Sequence, residues 1–455
     1  MELKKYKLGD IAEILISSID KKSKDGEHSV RLCNFVDVYR NWAITSNLSQ
    51  SFMAATASVN NIKRFSLKKG YVAFTKDSET RDDIGIPAYI ADDLDNTVLG
   101  YHCALAKPNA DILSGKYLNA FLHSDYIKKY FELNATGSGM RYTLSTETLN
   151  NIPILAPSLE MQEFIGSIFS DIDRKICLNR QINDNLEAMA KQLYDYWFVQ
   201  FDFPNEEGKP YKSSGGAMVW NEKLKREIPQ GWSVLSVNDI AASVRGVSYA
   251  KDDMVDSNNG VLVLRGNNIQ DNHLIYDSNV AYIPSSFVSE NQRIRPLDII
   301  MTMSSGSKEH IGKSAMFQFA SEDAFGAFLT KFTAKEHCAY LLFNLFNSKY
   351  FKAKIKSIAC GTGINNLTNQ TFDEIYVVMP EDELLLEFDK RQSQIFAEIG
   401  LIEKSNIELT RQQDELLPLL MNGQASVNYH LSTQNCFKES TNSASISPIF
   451  SQNSA

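Results

Sequence analysis

Several features that define whole classes of proteins are missing from this sequence. It contains no run of roughly 18 apolar residues, which a membrane span would need. The segment Met1–Tyr6 lacks the apolar stretch of a signal peptide. The six cysteines form no CxxC pair, and none lies at ligand spacing from a histidine, which disfavours structural zinc and a disulfide framework. We therefore expect a cytoplasmic protein with ordinary thiols and no membrane association.

Motifs of catalysis are also lacking. Gly306 and Gly312 precede Lys313-Ser314 as in a phosphate-binding loop, but five residues separate these glycines where the motif needs four. The Gly-x-Gly stretches at 137–139 and 361–363 lack the third glycine of a dinucleotide site. There is no Asn-Pro-Pro-aromatic motif of amino-methyltransferases, and no carboxylate pair with a nearby lysine indicates a nuclease. We predict no catalytic residue, metal site or cofactor in this chain.

The net charge of −9 is concentrated in two segments. Residues 157–201 carry seven acidic and four basic side chains, a net charge of −3, and residues 381–423 carry ten acidic and four basic side chains, a net charge of −6. The rest of the chain is therefore neutral on balance. Because binding to phosphates depends on local lysines and arginines, this distribution is compatible with DNA binding without requiring it.

The most informative positive feature is an internal repeat with a period of about 225 residues. A period this long excludes a solenoid and indicates two similar domains, each followed by a similar helix. The matching segments are 8–12 with 237–241, 32–35 with 265–269, 69–75 with 297–302, and 137–139 with 361–363.

We predict an α+β fold in which two strand-rich mixed domains are joined by two long helices. Leu67–Thr75 and Thr97–Ala106 have the β-branched and aromatic content of strands, whereas Tyr117–Leu133 has helical spacing. The predicted organisation is a first globular domain at 1–156, a central helix at 157–200, a Gly/Pro/Ser-rich linker at 201–231, a second globular domain at 232–380, a distal helix at 381–424, and a disordered tail at 425–455.

Both long segments carry apolar residues that alternate in steps of three and four, which is the pattern of a heptad seam. We expect the two helices to pair antiparallel as a coiled coil, and the alternative is that each packs only on its own domain. Polar residues inside a seam cost stability but can fix register. The predicted seam is Ile165, Phe169, Ile172, Ile176, Asn179, Leu186 and Leu193, against Ile395, Ile399, Ile402, Asn406, Leu409, Leu416 and Leu420.

Polar loops recur at matching places in the two copies. Glycine allows close backbone approach, arginine reads guanine, asparagine reads adenine, and hydroxyl groups suit phosphate oxygens. The alternative is that these loops are solvated turns, although their repetition favours contact with a ligand. The candidate DNA-binding residues are Arg31, Asn34, Lys76, Ser78, Arg81, Thr136, Ser138, Arg141 and Tyr142 in the first copy, and Arg265, Asn267, Asn268, Ser305, Ser307, Lys308, Thr362, Asn365 and Asn366 in the second.

The order of these parts resembles the specificity subunit of type I restriction-modification systems, over about residues 1–424. The segments that carry the resemblance are Trp197–Pro204 with Gly208–Tyr211, Ile228–Trp232, and Leu416–Gln424. The resemblance implies that each globular domain is a target recognition domain for one half of a bipartite, asymmetric site in double-stranded DNA. It also implies that the paired helices set the unread spacer.

The same resemblance implies partners. Two modification (methyltransferase) subunits would dock on the helices, bind S-adenosylmethionine and flip the target adenine, and restriction/translocase subunits would join them. One alternative is a non-catalytic protein-interaction scaffold with two paralogous docking domains. DNA binding that weakens steeply with salt would separate the two hypotheses. A third is an enzyme with an unfamiliar active site, which activity of the purified chain alone would support.

Overall fold

The computed structural model describes residues 2–137, 141–270, 272–275, 280–306, 309–358 and 365–421, with the backbone alone at Asn365. The chain divides into two compact units. The first unit comprises Met1–Leu178 and Asn406–Ala455, and the second comprises Asn179–Ser405. Each unit therefore combines a strand-rich portion with parts of both long helices. The predicted tail at 425–455 lies outside the described residues.

The first unit contains short strands and short helices, followed by the start of a long helix. Its strands are β1 (Lys4–Lys7), β2 (Ala12–Ile16), β3 (His28–Cys33), β4 (Ala43–Ile44), β5 (Met53–Ala57), β6 (Val72–Thr75), β7 (Asp77–Ser78), β8 (Pro87–Ile90), β9 (Thr97–Leu99), β10 (Cys103–Pro108), β11 (Thr136–Gly137), β12 (Tyr142–Thr143) and β13 (Pro153–Ala156). Its helices are α1 (Leu8–Ile11), α2 (Phe35–Tyr39), α3 (Ser46–Ser49), α4 (Val59–Phe65), α5 (Gly115–Leu122), α6 (Asp125–Asn134), α7 (Thr146–Asn150) and α8 (Leu159–Tyr194), the last of which continues into the second unit.

The main sheet of the first unit has the strand order β2-β10-β6-β8-β4, and alternate residues of its strands enter different cores. Val72 and Phe74 belong to the same core as Tyr117 and Phe121 of α5, whereas Ala73 belongs to the core formed with β3, β5 and β9. Side chains alternate across a strand, so a sheet covered on both faces needs apolar residues at every position. This is why β6 is buried throughout.

The second unit begins within α8, which is followed by a π-helical turn at Asp195–Val199. Its strands are β14 (Met218–Asn221), β15 (Arg226–Pro229), β16 (Ser233–Ser236), β17 (Ala241–Arg245), β18 (Val261–Leu264), β19 (Ile269–Gln270), β20 (His273–Leu274), β21 (Ala281–Ile283), β22 (Ile299–Thr302), β23 (Ser304–Ser305), β24 (Ser314–Met316), β25 (Ala324–Phe325), β26 (Leu329–Ala334), β27 (Asn365–Asn366) and β28 (Tyr376–Met379). Its helices are α9 (Val237–Ile240), α10 (Ala339–Asn347), α11 (Lys349–Ile358) and α12 (Asp382–Met421), and short 3-10 turns lie at Lys251–Asp253, Ser257–Asn259, Gly266–Asn268, Ser285–Phe287, Glu290–Gln292 and Asn369–Asp373.

The predicted duplication is present in the strand pairing of the two units. The sheet β17-β26-β22-β24 has the order of β2-β10-β6-β8. The parallel pair β18–β25 matches β3–β9, and the antiparallel pairs β16–β28 and β23–β27 match β1–β13 and β7–β12. The predicted α+β class, with two strand-rich domains and two long helices, is confirmed.

Two segments differ in detail from what the sequence indicated. The helix predicted over 117–133 is two helices, α5 and α6, separated at His123 and Ser124. The segment expected to be a linker, 201–231, contains the hairpin β14–β15. It is also packed, because the ring of Phe203 lies 4.8 Å from the ring of Trp232. Composition alone indicated a linker there, because its Gly, Pro and Ser content concealed the aromatic residues that anchor it.

The long helices contact each other inside each unit. In the second unit, the side-chain amide of Gln392 in α12 donates to the carbonyl of Ala190 in α8 at 2.8 Å. In the first unit, Ile165 and Phe169 of α8 share a core with Leu420 of α12. In both units the beginning of one helix therefore meets the end of the other, as antiparallel pairing requires.

Every residue of the predicted seam is buried or half-buried. The buried members are Ile165, Phe169, Ile176, Ile399, Leu409 and Leu420, and the half-buried members are Ile172, Asn179, Leu186, Leu193, Ile395, Ile402, Asn406 and Leu416.

A buried ion pair provides a test of the core of the second unit. Asp298 and Lys331 are 1% and 5% exposed, and their charged atoms lie 3.1 Å apart. Thr333 and the amide of Arg295 also donate to the Asp298 carboxylate, at 2.5 and 2.8 Å. The strand register places Leu105 of the first unit at the position of Lys331.

We predict that Lys331→Met lowers the free energy of unfolding of the full chain by about 3–5 kcal/mol, because it leaves the Asp298 charge buried without its partner. Urea-induced unfolding measures this. The double variant Asp298→Asn with Lys331→Met should recover part of the loss, since the amide keeps acceptor capacity without charge. Lys352→Met, on the exposed face of α11, serves as the control and should stay within about 0.5 kcal/mol. Wild-type stability of Lys331→Met would contradict the prediction.

Candidate nucleic-acid interface

Several candidate residues of each unit sit on a repeated backbone scaffold, which we call the loop frame. In the first unit it consists of the ladder β7–β12 and the turn before β10, and in the second of β23–β27 and the turn before β26. The amide of Lys76 donates to the carbonyl of His102 at 2.9 Å, and the amide of Met303 donates to the carbonyl of Phe328 at the same distance. The equivalent positions are Lys76 with Met303, Asp77 with Ser304, Ser78 with Ser305, His102 with Phe328, Tyr142 with Asn365, and Thr143 with Asn366.

A charged network occupies the loop frame of the first unit, centred on the buried carboxylate of Asp77. The ammonium of Lys76 donates to both Asp77 oxygens at 2.8 Å, and Nδ1 of His102 lies 2.5 Å from Oδ2. Burial alone would raise the pKa of Asp77, but hydrogen bonds from Lys76, Thr143 and His102 outweigh it and hold that pKa below its ordinary value. The carboxylate therefore stays ionised and fixes the side chains around it.

Exposed arginines border this network. The guanidinium of Arg141 lies 3.3 Å from Nε2 of His102, and that of Arg81 lies 5.0 Å from the centre of the Tyr142 ring. Both arginines are exposed, so their remaining N–H groups face solvent. Thr136 is exposed on the neighbouring strand, where its hydroxyl donates to the carbonyl of Thr143 at 3.4 Å. The structure thus brings together Lys76, Ser78, Arg81, Thr136, Arg141 and Tyr142 of the first predicted set.

Asn34 and Arg31 lie elsewhere on the same domain. Asn34 follows β3, and its backbone amide donates to the carboxylate of Asp37 at 2.7 Å. This hydrogen bond caps the start of α2. The side chain of Asn34 lies close to Gly100, because a Cβ added to Gly100 would be 3.2 Å from Oδ1 of Asn34. Arg31 is exposed within β3 itself, three residues earlier. Asn34 is therefore adjacent to the turn that carries His102, and Arg31 is further along the strand.

Arg265 follows β18 in the second unit, at the position that Asn34 has after β3. The backbone amide of Arg265 donates to Oδ1 of Asn268 at 2.8 Å, and the Nε of Arg265 donates to the hydroxyl of Tyr249 at 3.0 Å. Asn268 is fully buried, and its own amide nitrogen donates to the carbonyl of Ile275 at 2.8 Å. Asn268 therefore shapes the turn, because both its polar atoms are used internally. Asn267 beside it is exposed.

The loop frame of the second unit carries neutral side chains where the first carries charged ones. Met303 and Ser304 replace Lys76 and Asp77. Ser305 pairs with Asn365 and Ser304 with Asn366, and Asn366 is exposed. The predicted residues Ser138, Ser307, Lys308 and Thr362 lie outside the described residues.

Sequence reasoning missed the turn that precedes β10 and β26. Tyr101 is 47% exposed and Phe328 is 64% exposed, and His102 lies between Asp77 and Arg141. The available signal was positional, since both turns lead into a strand of the repeated sheet. Residue type gave no help, because histidine and phenylalanine do not match.

Comparison with known proteins explains the duplicated scaffold. The model of the type I restriction modification DNA specificity domain matches residues 1–188 and again residues 229–418. The chain belongs to this family. In this family the specificity subunit is non-catalytic, and the catalytic activities lie in other subunits. Membership implies DNA binding and assembly in a restriction-modification complex.

Individual relatives agree with this assignment. The HindI specificity subunit of Haemophilus influenzae is 23% identical over 92% of this chain and 99% of its own length. The StySPI specificity subunit of Salmonella potsdam is 30% identical over 43% of this chain, and the match spans only 44% of that relative. The crystal structure of the S subunit from M. genitalium shares the fold, with a TM-score of 0.52 at 14% identity over 92% of this chain and 96% of that one.

The described residues contain neither a helix that could span a membrane nor a cluster of metal ligands. Among those residues, no helix is both long and apolar enough to cross a membrane. In the same ranges, no three or more His, Cys, Asp or Glu side chains are grouped so that they could hold a metal ion.

A histidine ties the strand-rich part of the second unit to both long helices. His273 in β20 lies 2.9 Å from the carboxylate of Glu187 in α8 and 3.5 Å from that of Glu403 in α12. Hydrogen bonds to Glu187 and then Glu403 raise the pKa of His273 to about 10. The side-chain amide of Asn268 donates to the carbonyl of Ile275, which is two residues after His273. This hydrogen bond connects the turn of Arg265 to the hairpin that carries His273.

The raised pKa predicts a pH dependence. The protonated histidine stabilises the fold fully below its unfolded pKa of 6.5, and this contribution is lost as the pH rises towards 10. The difference in Tm between wild type and His273→Gln should therefore be largest near pH 6 and should decrease towards zero as the pH approaches 10. His28→Gln, at the exposed first residue of β3, is the control and should show no such trend. A gap that stays constant over this range would contradict the ion-pair assignment.

Proposed function

We propose that this chain is the DNA sequence-recognition subunit of a type I restriction-modification complex, and that its two strand-rich domains each read one half of a bipartite, asymmetric target. We assign these domains to residues 1–156 and 232–380. The observation that carries the proposal is the loop frame, which occurs twice with the same backbone hydrogen bonds and different side chains. One scaffold with two sets of side chains suits two different half-sites.

The chemistry of the first loop frame fits a DNA groove. Arg81 and Arg141 expose guanidinium groups that suit phosphate or guanine. Their orientation is fixed before binding, since Tyr142 stacks under one and His102 contacts the other. Preorganised side chains lose less conformational entropy on binding, which favours a discriminating contact.

The long helices are proposed to set the unread spacer as one antiparallel coiled coil. Helix α8 has 36 residues, which corresponds to about 54 Å at a rise of 1.5 Å per residue. That length exceeds one turn of DNA, roughly 34 Å. The support is the heptad seam, none of whose members is exposed. The acidic outer faces of the helices are unsuited to phosphate contact, which leaves them for protein partners.

The partners follow from the absence of catalysis in the family. We propose that two modification subunits dock on the helices, supply S-adenosylmethionine and flip the target adenine, and that restriction subunits complete the assembly in the cytoplasm. The scaffold alternative predicts no salt-dependent DNA binding by the assembled complex.

The decisive experiment is a domain exchange. Replacing residues 1–156 with the corresponding domain of another family member should change one half of the methylated motif and leave the other half and the spacer intact. Sequencing of modified bases in cells that express the chain with its partner subunits gives the result. Exchange of residues 232–380 is the matched control and should change the other half. A change in both halves after either exchange counts against separate readers.

The spacer role has its own test. An insertion of four residues near Asn179 lengthens α8 by about 6 Å, so we expect roughly one or two more unread base pairs and unchanged half-sites. The same insertion in the hairpin turn between Glu222 and Lys225 is the control and should leave the spacer unaltered. An unchanged spacer after the helix insertion would rule out the helices as the ruler.

A further inference from the structure

We propose that the residue immediately before β10 and β26, which is His102 in the first unit and Phe328 in the second, is a shared specificity position through which the two domains read different bases. This inference rests on the proposed function. It assigns a guanine contact through Arg141 to the first half-site and a contact with a thymine methyl group to the second.

The two residues occupy equivalent positions in the strand register, although His102 has a positive φ of 72° and Phe328 does not. Each accepts a hydrogen bond through its carbonyl at 2.9 Å, from Lys76 in one unit and from Met303 in the other. Each also precedes a strand with the same neighbours in its sheet. Because the backbone groups do the structural work, the side chains at this position are free to differ.

In the first unit the position is polar and anchored. Asp77 is ionised, so Nδ1 of His102 donates to it, and Nε2 is left to accept from the guanidinium of Arg141. This fixes the direction of Arg141, whose other N–H groups form the fork that matches guanine O6 and N7. His102 is thus a positioning residue for the arginine that meets the base.

In the second unit the position is apolar. Phe328 is 64% exposed, the largest exposure of any phenylalanine in the described residues. Met303 and Ser304 occupy the places of Lys76 and Asp77, so the described residues of this unit offer no equivalent of the Asp77 network. Isolated exposed apolar side chains are common on protein surfaces. Here, however, the ring is carried by the position equivalent to His102, which in the other domain orients the charged reader Arg141. In the major groove, the apolar feature that distinguishes one base is the thymine methyl group.

The experiment uses the assembled complex and the motif found for the wild-type chain. Replacing each thymine of the second half-site in turn by uracil removes one methyl group. At one position this should weaken binding of the wild-type complex by roughly fivefold or more, and the same replacement should have no effect on Phe328→Ala. Tyr350→Ala, an exposed aromatic residue in α11, is the matched control and should keep the wild-type response.

The first half-site is tested in the same way. Replacing guanine with 7-deazaguanine removes the N7 acceptor, and we expect a loss at one position for wild type that is absent in Arg141→Ala and reduced in His102→Ala. The second half-site should be read normally by both variants. A residue with only a structural role would not change the preference at a single base pair.

The outcomes separate the two levels of the proposal. Absence of any bipartite motif would refute the proposed function. A bipartite motif with a second half that contains no thymine on either strand would overturn this inference alone, as would an equal uracil effect in wild type and Phe328→Ala. The uracil series with wild-type complex needs no variant, so a failure of Phe328→Ala to assemble would not remove the test.

Discussion

The constraint on which the rest of the structure depends is the backbone hydrogen bonding of the loop frame. Main-chain hydrogen bonds connect the same positions in both copies, in a two-residue ladder, β7–β12 or β23–β27, and in the turn before the next long strand. Buried main-chain groups must be paired, so this frame tolerates little change in geometry. Its side chains carry no such obligation. The chain can therefore carry Lys76 and Asp77 in one copy and Met303 and Ser304 in the other on the same scaffold.

The long helices are held by side-chain packing and polar side-chain contacts. The residues of their heptad seam are buried or half-buried within each unit, and the net negative charge of the chain lies on their segments. Gln392 bonds to the Ala190 carbonyl inside the seam, and His273 pairs with Glu187 and Glu403 beside it. Polar contacts at such places favour one register over its neighbours. Such helices fit the proposed role of a spacer between two readers, in a family whose catalytic activities lie in other subunits.

The sequence was sufficient for the architecture because duplication and heptad spacing are long-range patterns that local ambiguity cannot hide. It was less informative about the site. Arg141 and Arg81 could be identified by chemistry, but Asn268 has the same residue type as a base reader and is fully buried. The equivalence of His102 and Phe328 follows only from the strand register, because the two turns contain dissimilar residues. Composition also concealed the packed aromatic residues Phe203 and Trp232 in the supposed linker.

The most direct test of the account is the sequence motif that is modified in cells expressing this chain with its partner subunits. The account predicts two short, different half-sites separated by a spacer of fixed length in which any base is accepted, because two copies of one scaffold carry different side chains. A single continuous motif, or two half-sites that are inverted copies of each other, would contradict it.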